Sequence, residues 1–308
     1  MSLSKAPKEL VKEIKKIIPP DRLMFDISMA KYTTFRIGGP ADILINAESQ
    51  NEILPVIHLC KNYDYPHFIM GAGSNLLIRD GGYRGLIIRI NDYFRGIDLQ
   101  EDCLFVKAGT SLPSLSRYAA DKSLAGLEFA CGIPGTVGGS IYMNAGAYEG
   151  EISQCFLYCN ALSDDGVLTT YNNQDMDFSY RYSSAQANEL IILNAAFRLH
   201  TDKKEDIIAR MKFFTQKRIE KQPVDKPSAG STFKRPLNAF AASLIEQCGL
   251  KGYRVGGAMV SEKHSGFIIN DNNATARDVI DLMDYVSEIV YSMRAIKLEP
   301  ELRIIGED

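Results

Sequence analysis

Residues 131–150 read CGIPGTVGGSIYMNAGAYEG, which places six of the chain's 24 glycines within 20 positions. Glycine reaches positive φ and lets the backbone approach a ligand with no Cβ in the way. Successive N–H groups left free in such turns form a concave anion site. A second glycine loop, GAGSNLL at 71–77, adds side-chain donors at Ser74 and Asn75. Two such loops suit a diphosphate held from two sides. The competing reading is a set of tight turns between short strands. Leu76 stands at the third glycine position of a dinucleotide fingerprint opened by Gly71 and Gly73. The apolar run that follows is too short for that motif's helix, so a Rossmann site is disfavoured.

Residues 210–235 carry eight Lys or Arg against two acids, Glu220 and Asp225, a local balance of +6 in a chain of net charge −3. Arg210, Lys212, Lys217 and Arg218 fit the solvent face of a helix. Lys221, Lys226, Lys234 and Arg235 flank loop and strand material. They read either as a site for an anionic small molecule or as solvated surface cations. Within PSAGSTFKRP (227–236), Ser231 follows a glycine and precedes Lys234 by three. The residue types allow a nucleophile, an acid or a turn. A GxSxG elbow is missing, and so are the other signatures that accompany a serine–lysine pair in β-lactamase-type enzymes.

The elements that must position these residues are readable from periodicity. Residues 7–18 form an amphipathic helix with Leu10, Val11, Ile14, Ile17 and Ile18 on one face, stopped by Pro19-Pro20. A strand is expected at 41–47 and a helix at 50–62, and PHFIMGAGSNLLIRDGGYRGLIIRI alternates apolar runs with glycine turns as short strands do. A helix at 111–122 opens on Ser111, and strands follow at 156–162, 167–171 and 190–199. Beyond residue 201 the chain turns helical: 203–221, 239–248 ended by Gly249, and 276–294 with a capping box from Thr275 to Asp278. A last strand is expected at 298–305. Strands first and helices later, without long βαβα alternation, predict an α+β fold.

Composition narrows the function. With 35 basic and 38 acidic residues the chain is no general polyanion binder, which argues against nucleic acid. It contains no apolar run long enough for membrane insertion and no signal peptide, so a cytoplasmic location is expected. The six cysteines lack CxxC pairs and read as reduced core thiols, and the four histidines do not cluster, so no metal site is expected.

Several segments then match one family together: YTTFRIGGPAD (32–42), GAGSNLL (71–77), GLEFACGIPGTVGGSIYMNAGAYEGE (126–151), YRYS (180–183), PSAGSTFKRP (227–236), LIEQCGLKGYRVGGAMVSEKHSGFIIN (244–270) and LEPELRIIG (298–306). In order and spacing, over about residues 30–306, the chain resembles the UDP-N-acetylenolpyruvoylglucosamine reductases of bacterial peptidoglycan precursor synthesis. The first 200 residues alone would indicate only the wider vanillyl-alcohol-oxidase-like flavin fold. The resemblance implies two FAD-binding α+β subdomains, at 1–89 and 90–200, a substrate-binding domain at 201–300, and a returning C-terminal strand at 301–308. It implies noncovalent FAD, NADPH as hydride donor, and a small-molecule substrate, UDP-N-acetylglucosamine enolpyruvate. No obligate protein partner is implied. Hydride passes from flavin N5 to substrate C3 and a proton to C2.

Carried over residue by residue, the resemblance places FAD on Gly71, Ala72, Gly73, Ser74, Asn75 and Leu76, and on Gly132, Ile133, Pro134, Gly135, Gly138, Gly139 and Ser140. Asn144, Ala145 and Gly146 then lead toward the flavin. Ser231 matches the family's proton donor. Arg181 and Glu301 match the residues that polarise the substrate carboxylate and stabilise the enol. Glu301 helps an acidic substrate only if it is protonated or hydrogen-bonded, so its pKa should be raised. Tyr180, Lys221, Gln222, Lys234 and Arg235 are the implied substrate contacts. Arg235 stands where many members have asparagine, and the short interval from Arg181 to Ser231 resembles the compact subtype, which lacks an inserted tyrosine loop. Two other readings are a flavin oxidase or dehydrogenase of the same fold acting on another substrate and a noncatalytic nucleotide-sugar or flavin-binding protein. A mere binder has no need of a proton donor.

Overall fold

The structure, a computed structural model, describes residues 6–308. The first five residues of the charged N-terminal stretch lie outside them. Helix α1 (Lys8–Ile17) buries Leu10 and Ile14. Then come β1 (Leu23–Ser28), β2 (Pro40–Ala47), α2 (Gln50–Asn62), β3 (His67–Met70), β4 (Leu76–Ile78) and β5 (Tyr83–Ile90). Four of these strands form a sheet of order β1-β2-β5-β3, with β2, β5 and β3 parallel and β1 antiparallel at the edge. Every residue of β2 after Pro40 is buried. That explains its near-continuous apolar run, since a central strand is covered on both faces. Its polar members are paired: Asp42 with Arg84 at 2.8 Å and Tyr65 at 3.2 Å, and Asn46 with Asn91 at 3.1 Å.

The next unit comprises β6 (Ile97–Gln100), β7 (Cys103–Lys107), α3 (Leu112–Asp121), α4 (Val137–Tyr142), β8 (Phe156–Leu162), β9 (Leu168–Asn172) and β10 (Ile191–Arg198). Its sheet, of order β9-β8-β10-β7-β6, is antiparallel throughout. Ser111 caps α3 by accepting the Ser114 N–H. Both sheets share one hydrophobic core, with Ile43 and Ile88 from the first and Leu104 and Phe197 from the second. Cys60, Cys155 and Cys159 are buried in it, and burial pushes each thiol up to about 12, far from a reactive thiolate.

The last part holds α5 (Lys204–Lys221), α6 (Ala241–Gln247), β11 (Ala258–Val260), β12 (Ile268–Asn270), α7 (Ala276–Arg294) and β13 (Arg303–Ile305). Its own core is built on Val279, Leu282, Val286 and Val290 of α7. Met293, near the C-terminal end of α7, is 56% exposed. Helix α5 packs elsewhere. Its Ile207 clusters with Ala120 and Ala125 of the preceding unit, so the change to helical sequence near 201 comes before the change of core. The final strand forms only at 303–305, parallel to β4. Residues 298–302 are anchored instead by Leu298 and Leu302 in the core and by a bridge from Phe233 to Pro300. Pro300 has no N–H to donate to a ladder.

Phe35, Ile37 and Leu77 of the N-terminal part insert into the C-terminal core. Phe35 is fully buried there. Replacing it with alanine should destabilise the chain by about 3–5 kcal/mol in urea unfolding. A loss under about 1 kcal/mol would show that this contact does not hold the two parts together. Among the described residues no helix is long and apolar enough to cross a membrane, and no His/Cys/Asp/Glu group could hold a metal.

Candidate active site

A cleft of roughly 1630 Å³, its mouth included, opens where the three parts meet. Loop 71–75 enters it from β3 and loop 133–136 runs along it into α4. The loops touch: a Cβ on Gly71 would overlap Thr136 Oγ1, so only glycine fits there. Thr136 caps α4, its Oγ1 accepting the Gly139 N–H at 3.4 Å. The N–H groups of Ala72, Gly73, Ser74 and Asn75, and those of Gly135 and Thr136, donate to no other group among the described residues. A plain turn closes on its own amides, whereas these two loops leave theirs open, as an anion cradle requires.

Of the residues assigned to the cofactor, Gly71 to Leu76, Ile133 to Gly135, Gly138 to Ser140, Ala145 and Gly146 line the cleft. Gly132 sits beside it, packed against the Arg218 side chain. Asn144 does not reach it. Fully buried, it donates to the Ser179 carbonyl at 3.0 Å and accepts the Ser153 N–H at 3.1 Å. It pins the loop that carries Ala145 and Gly146.

Arg181 occupies the third position of a tight turn closed by Tyr182 N–H on the Ser179 carbonyl. Its φ of +57° is a conformation that glycine normally takes at that position. Such strain persists where surrounding contacts impose it, and it concentrates at functional sites. Here Nε donates to Glu301 Oε1 at 2.8 Å and Nη2 to the Gly146 carbonyl at 3.1 Å. The Glu301 N–H donates to the Thr232 carbonyl at 2.8 Å, and the Glu301 carbonyl accepts from Asn75 Nδ2 at 3.2 Å. Glu301 therefore links the residue after Ser231 to the first glycine loop. Burial pushes its carboxyl above the ordinary carboxylate range, against the opposing pull of Arg181.

Ser231 lines the same cleft, and its hydroxyl has no hydrogen-bond partner among the described residues. The backbone after it is locked: Thr232 N–H donates to the Gly266 carbonyl at 2.8 Å and Thr232 Oγ1 accepts the Ile268 N–H at 3.0 Å. Arg181, Ser231 and Glu301 thus converge although 120 residues separate the first from the last.

Gln222 also lines the cleft, and its buried Oε1 has no partner. Tyr180 lies beside Glu301 at 3.4 Å but outside the lining. The Arg235 guanidinium rests over the rings of Tyr180 and Phe240. Lys221 is exposed at the end of α5. Lys234 is exposed 3.8 Å from Glu299 and makes no hydrogen bond to Ser231. Lys226 is paired with Asp271, which explains that cation structurally.

Two cleft arginines were missed from sequence, Arg218 and Arg303. Arg218 is not on a solvent face: it lines the cleft, and burial lowers its pKa. The signal was present, because Arg218 falls four residues after Phe214 and seven after Met211, on the apolar stripe. Arg303 donates to the Tyr142 hydroxyl at 2.8 Å and lies between the rings of Phe68 and Tyr142. Neither arginine meets a carboxylate among the described residues. Open amides and unpaired arginines around one cleft fit a diphosphate.

This fold and this cleft define an FAD-binding oxidoreductase. Residues 41–172 match the FAD binding domain, and residues 222–305 match the UDP-N-acetylenolpyruvoylglucosamine reductase C-terminal domain. A reductase of that name from Syntrophomonas wolfei is 45% identical over 296 residues, 96% of this chain and 99% of the relative. One from Clostridium botulinum is 44% identical over 98% of both chains. The crystal structure of the Thermus caldophilus reductase superposes with a TM-score of 0.79 at 35% identity, covering 90% of this chain and 97% of that one. The chain belongs to the UDP-N-acetylenolpyruvoylglucosamine reductase family. An alkyldihydroxyacetonephosphate synthase structure, at 17% identity and a TM-score of 0.51, shares the fold alone.

Proposed function

We propose that this protein reduces UDP-N-acetylglucosamine enolpyruvate to UDP-N-acetylmuramate, with NADPH as hydride source and FAD held noncovalently by the two glycine loops. The observation that carries this reading is the unpartnered Ser231 hydroxyl, which shares one cleft with the Arg181–Glu301 pair and both loops. Bound FAD supplies the hydride chemistry, passing hydride from NADPH to C3 of the enolpyruvyl group. The chain's own residues manage charge and the proton. Arg181 keeps N–H donors beyond those given to Glu301 and Gly146, and its planar fork suits the substrate carboxylate. Glu301, whose neutral form burial favours, donates from that form to the developing enolate oxygen instead of repelling it. Ser231 delivers its proton to C2. An enolate is basic enough to take it, and a hydroxyl stays protonated at neutral pH where a carboxylic acid of pKa about 4 is ionised. We assign the return of that proton to solvent at the open mouth of the cleft.

We assign Tyr180, Gln222 and Arg235 to substrate contacts, with Lys221 and Lys234 at the periphery. None of the four histidines lines the cleft, which favours a noncovalent flavin. Both nucleotides are soluble, which suits a cytoplasmic enzyme. Purified protein is expected to be yellow and to release its flavin on acid precipitation. Its NADPH oxidation should depend on added UDP-N-acetylglucosamine enolpyruvate, and the absence of any stimulation by that compound would reject the assignment.

A further inference from the structure

Asp80 belongs to the turn after β4, yet its carboxylate sits on the first turn of α7, accepting the Ala276 N–H at 2.8 Å through Oδ1 and the Arg277 N–H at 2.9 Å through Oδ2. The first amides of a helix have no partner within it. Here α7 already has a cap from its own sequence. Thr275 Oγ1 accepts the Asp278 N–H at 3.0 Å, and Asp278 Oδ2 accepts the N–H groups of Thr275 and Gly257. The local box takes the third amide and Asp80 takes the first two. Since the helix is started by its own residues, a carboxylate brought across 196 positions of sequence is there for docking rather than for helix formation.

The turn that presents Asp80 is rigid. The Arg79 N–H donates to the Ile305 carbonyl, and the Arg79 carbonyl accepts from Gly39 and Gly82. Gly82, at φ +87°, abuts the Pro40 carbonyl so closely that a Cβ would overlap it. The same short segment starts with the cofactor loop. Asn75, at the end of that loop, holds the Glu301 carbonyl and accepts the Arg303 N–H, and Asp80 follows five residues later. One segment therefore touches the cofactor cradle, the strand behind Glu301 and the main helix of the unit that carries Ser231.

We propose that Asp80 is a positioning residue for the reaction. It seats the unit bearing Ser231 and Glu301 on the segment bearing the cofactor loop, and so sets the distance between proton donor and hydride donor. The argument rests on the proposed function, because only a reaction using both sides of the cleft depends on that seating. Misplacement of reacting groups by about 1 Å costs up to ~100-fold in rate.

The test uses FAD-loaded protein reduced with dithionite and mixed with saturating UDP-N-acetylglucosamine enolpyruvate, with flavin reoxidation as the readout. Asp80→Ala should slow reoxidation at least ~10-fold while FAD content and spectrum stay unchanged. Asp80→Asn, which keeps one acceptor oxygen, should recover to within ~3-fold of the unsubstituted protein, and it serves alone if the alanine variant does not fold. Hydrogen exchange should speed at Ala276 and Arg277 in Asp80→Ala and not at Asp278, whose amide is held by Thr275. Unchanged reoxidation with only a lower melting temperature would reduce Asp80 to a structural cap and overturn the proposal. An unsubstituted protein that the substrate does not reoxidise would overturn the proposed function and this role together.

Discussion

Alanine at position 231 is expected to leave flavin reduction by NADPH at its normal rate and to slow the second half-reaction by ~100-fold or more, the usual scale for losing a positioned acid. The split follows from the site. Among the described residues the Ser231 hydroxyl makes no hydrogen bond, so its removal breaks none. Thr232 on one side is held by Gly266 and Ile268, and Gly230 on the other has open space around it. The backbone should therefore keep its course in Ser231→Ala, and melting temperature should shift little. Stopped-flow absorbance separates the halves: flavin bleaching by NADPH, then colour return on adding the enolpyruvyl substrate. A variant whose colour returns at the normal rate would remove Ser231 from the role of proton donor.

For Glu301 the expectation concerns both magnitude and pH. Glu301→Ala should lower the second half-reaction by roughly 100- to 1000-fold, the range seen when one preorganised electrostatic partner is removed. Burial favours the neutral carboxyl in the folded chain, so its pKa lies above the unfolded value. The sign is then set. Its contribution to stability is complete below the ordinary carboxylate range and is lost as pH rises through the raised folded value. The activity of the neutral form declines over the same interval. An arriving substrate carboxylate adds like charge and moves that interval further up. Glu301→Gln mimics the neutral form and should show neither decline. Reoxidation rate and urea midpoint, measured against pH for both proteins, check this. A pH-independent rate for the unsubstituted protein, or the same alkaline decline in the glutamine variant, would refute the protonated role.

Much of the fold was legible because it is specified locally. Ser111 and Thr275 announce their helices through side-chain oxygens that serve amides a few residues away. The run in β2 declares a central strand because both faces are covered. The glycines at 71 and 73 mark a loop whose shape they alone permit. The errors came where a distant partner overrode the local pattern. Arg218 was sorted to solvent although its spacing placed it with Met211 and Phe214. What faces that stripe is Ala120 and Ala125 at Met211, Tyr148 at Phe214, and Gly132 with the cleft at Arg218, and no local rule names them. Residues 298–302 look like a strand, yet they make a single bridge, Phe233 to Pro300, closed by the Lys234 N–H on the Glu299 carbonyl and the Glu301 N–H on the Thr232 carbonyl, while Leu298 and Leu302 anchor them in the core.

The sequence by itself determined the local devices of this protein: the two open glycine loops, the helix caps, the alternation of strands and turns, and the motif order that marks its family. These depend on residues within a few positions of one another, where backbone sterics and short hydrogen bonds decide. The tertiary structure alone decided that Arg181, Ser231 and Glu301 face one cleft, that burial raises the pKa of Glu301, and that Asp80 reaches the start of α7. Desolvation and convergence are properties of what packs around a group. They arise only when chain segments more than a hundred residues apart are brought within hydrogen-bond distance.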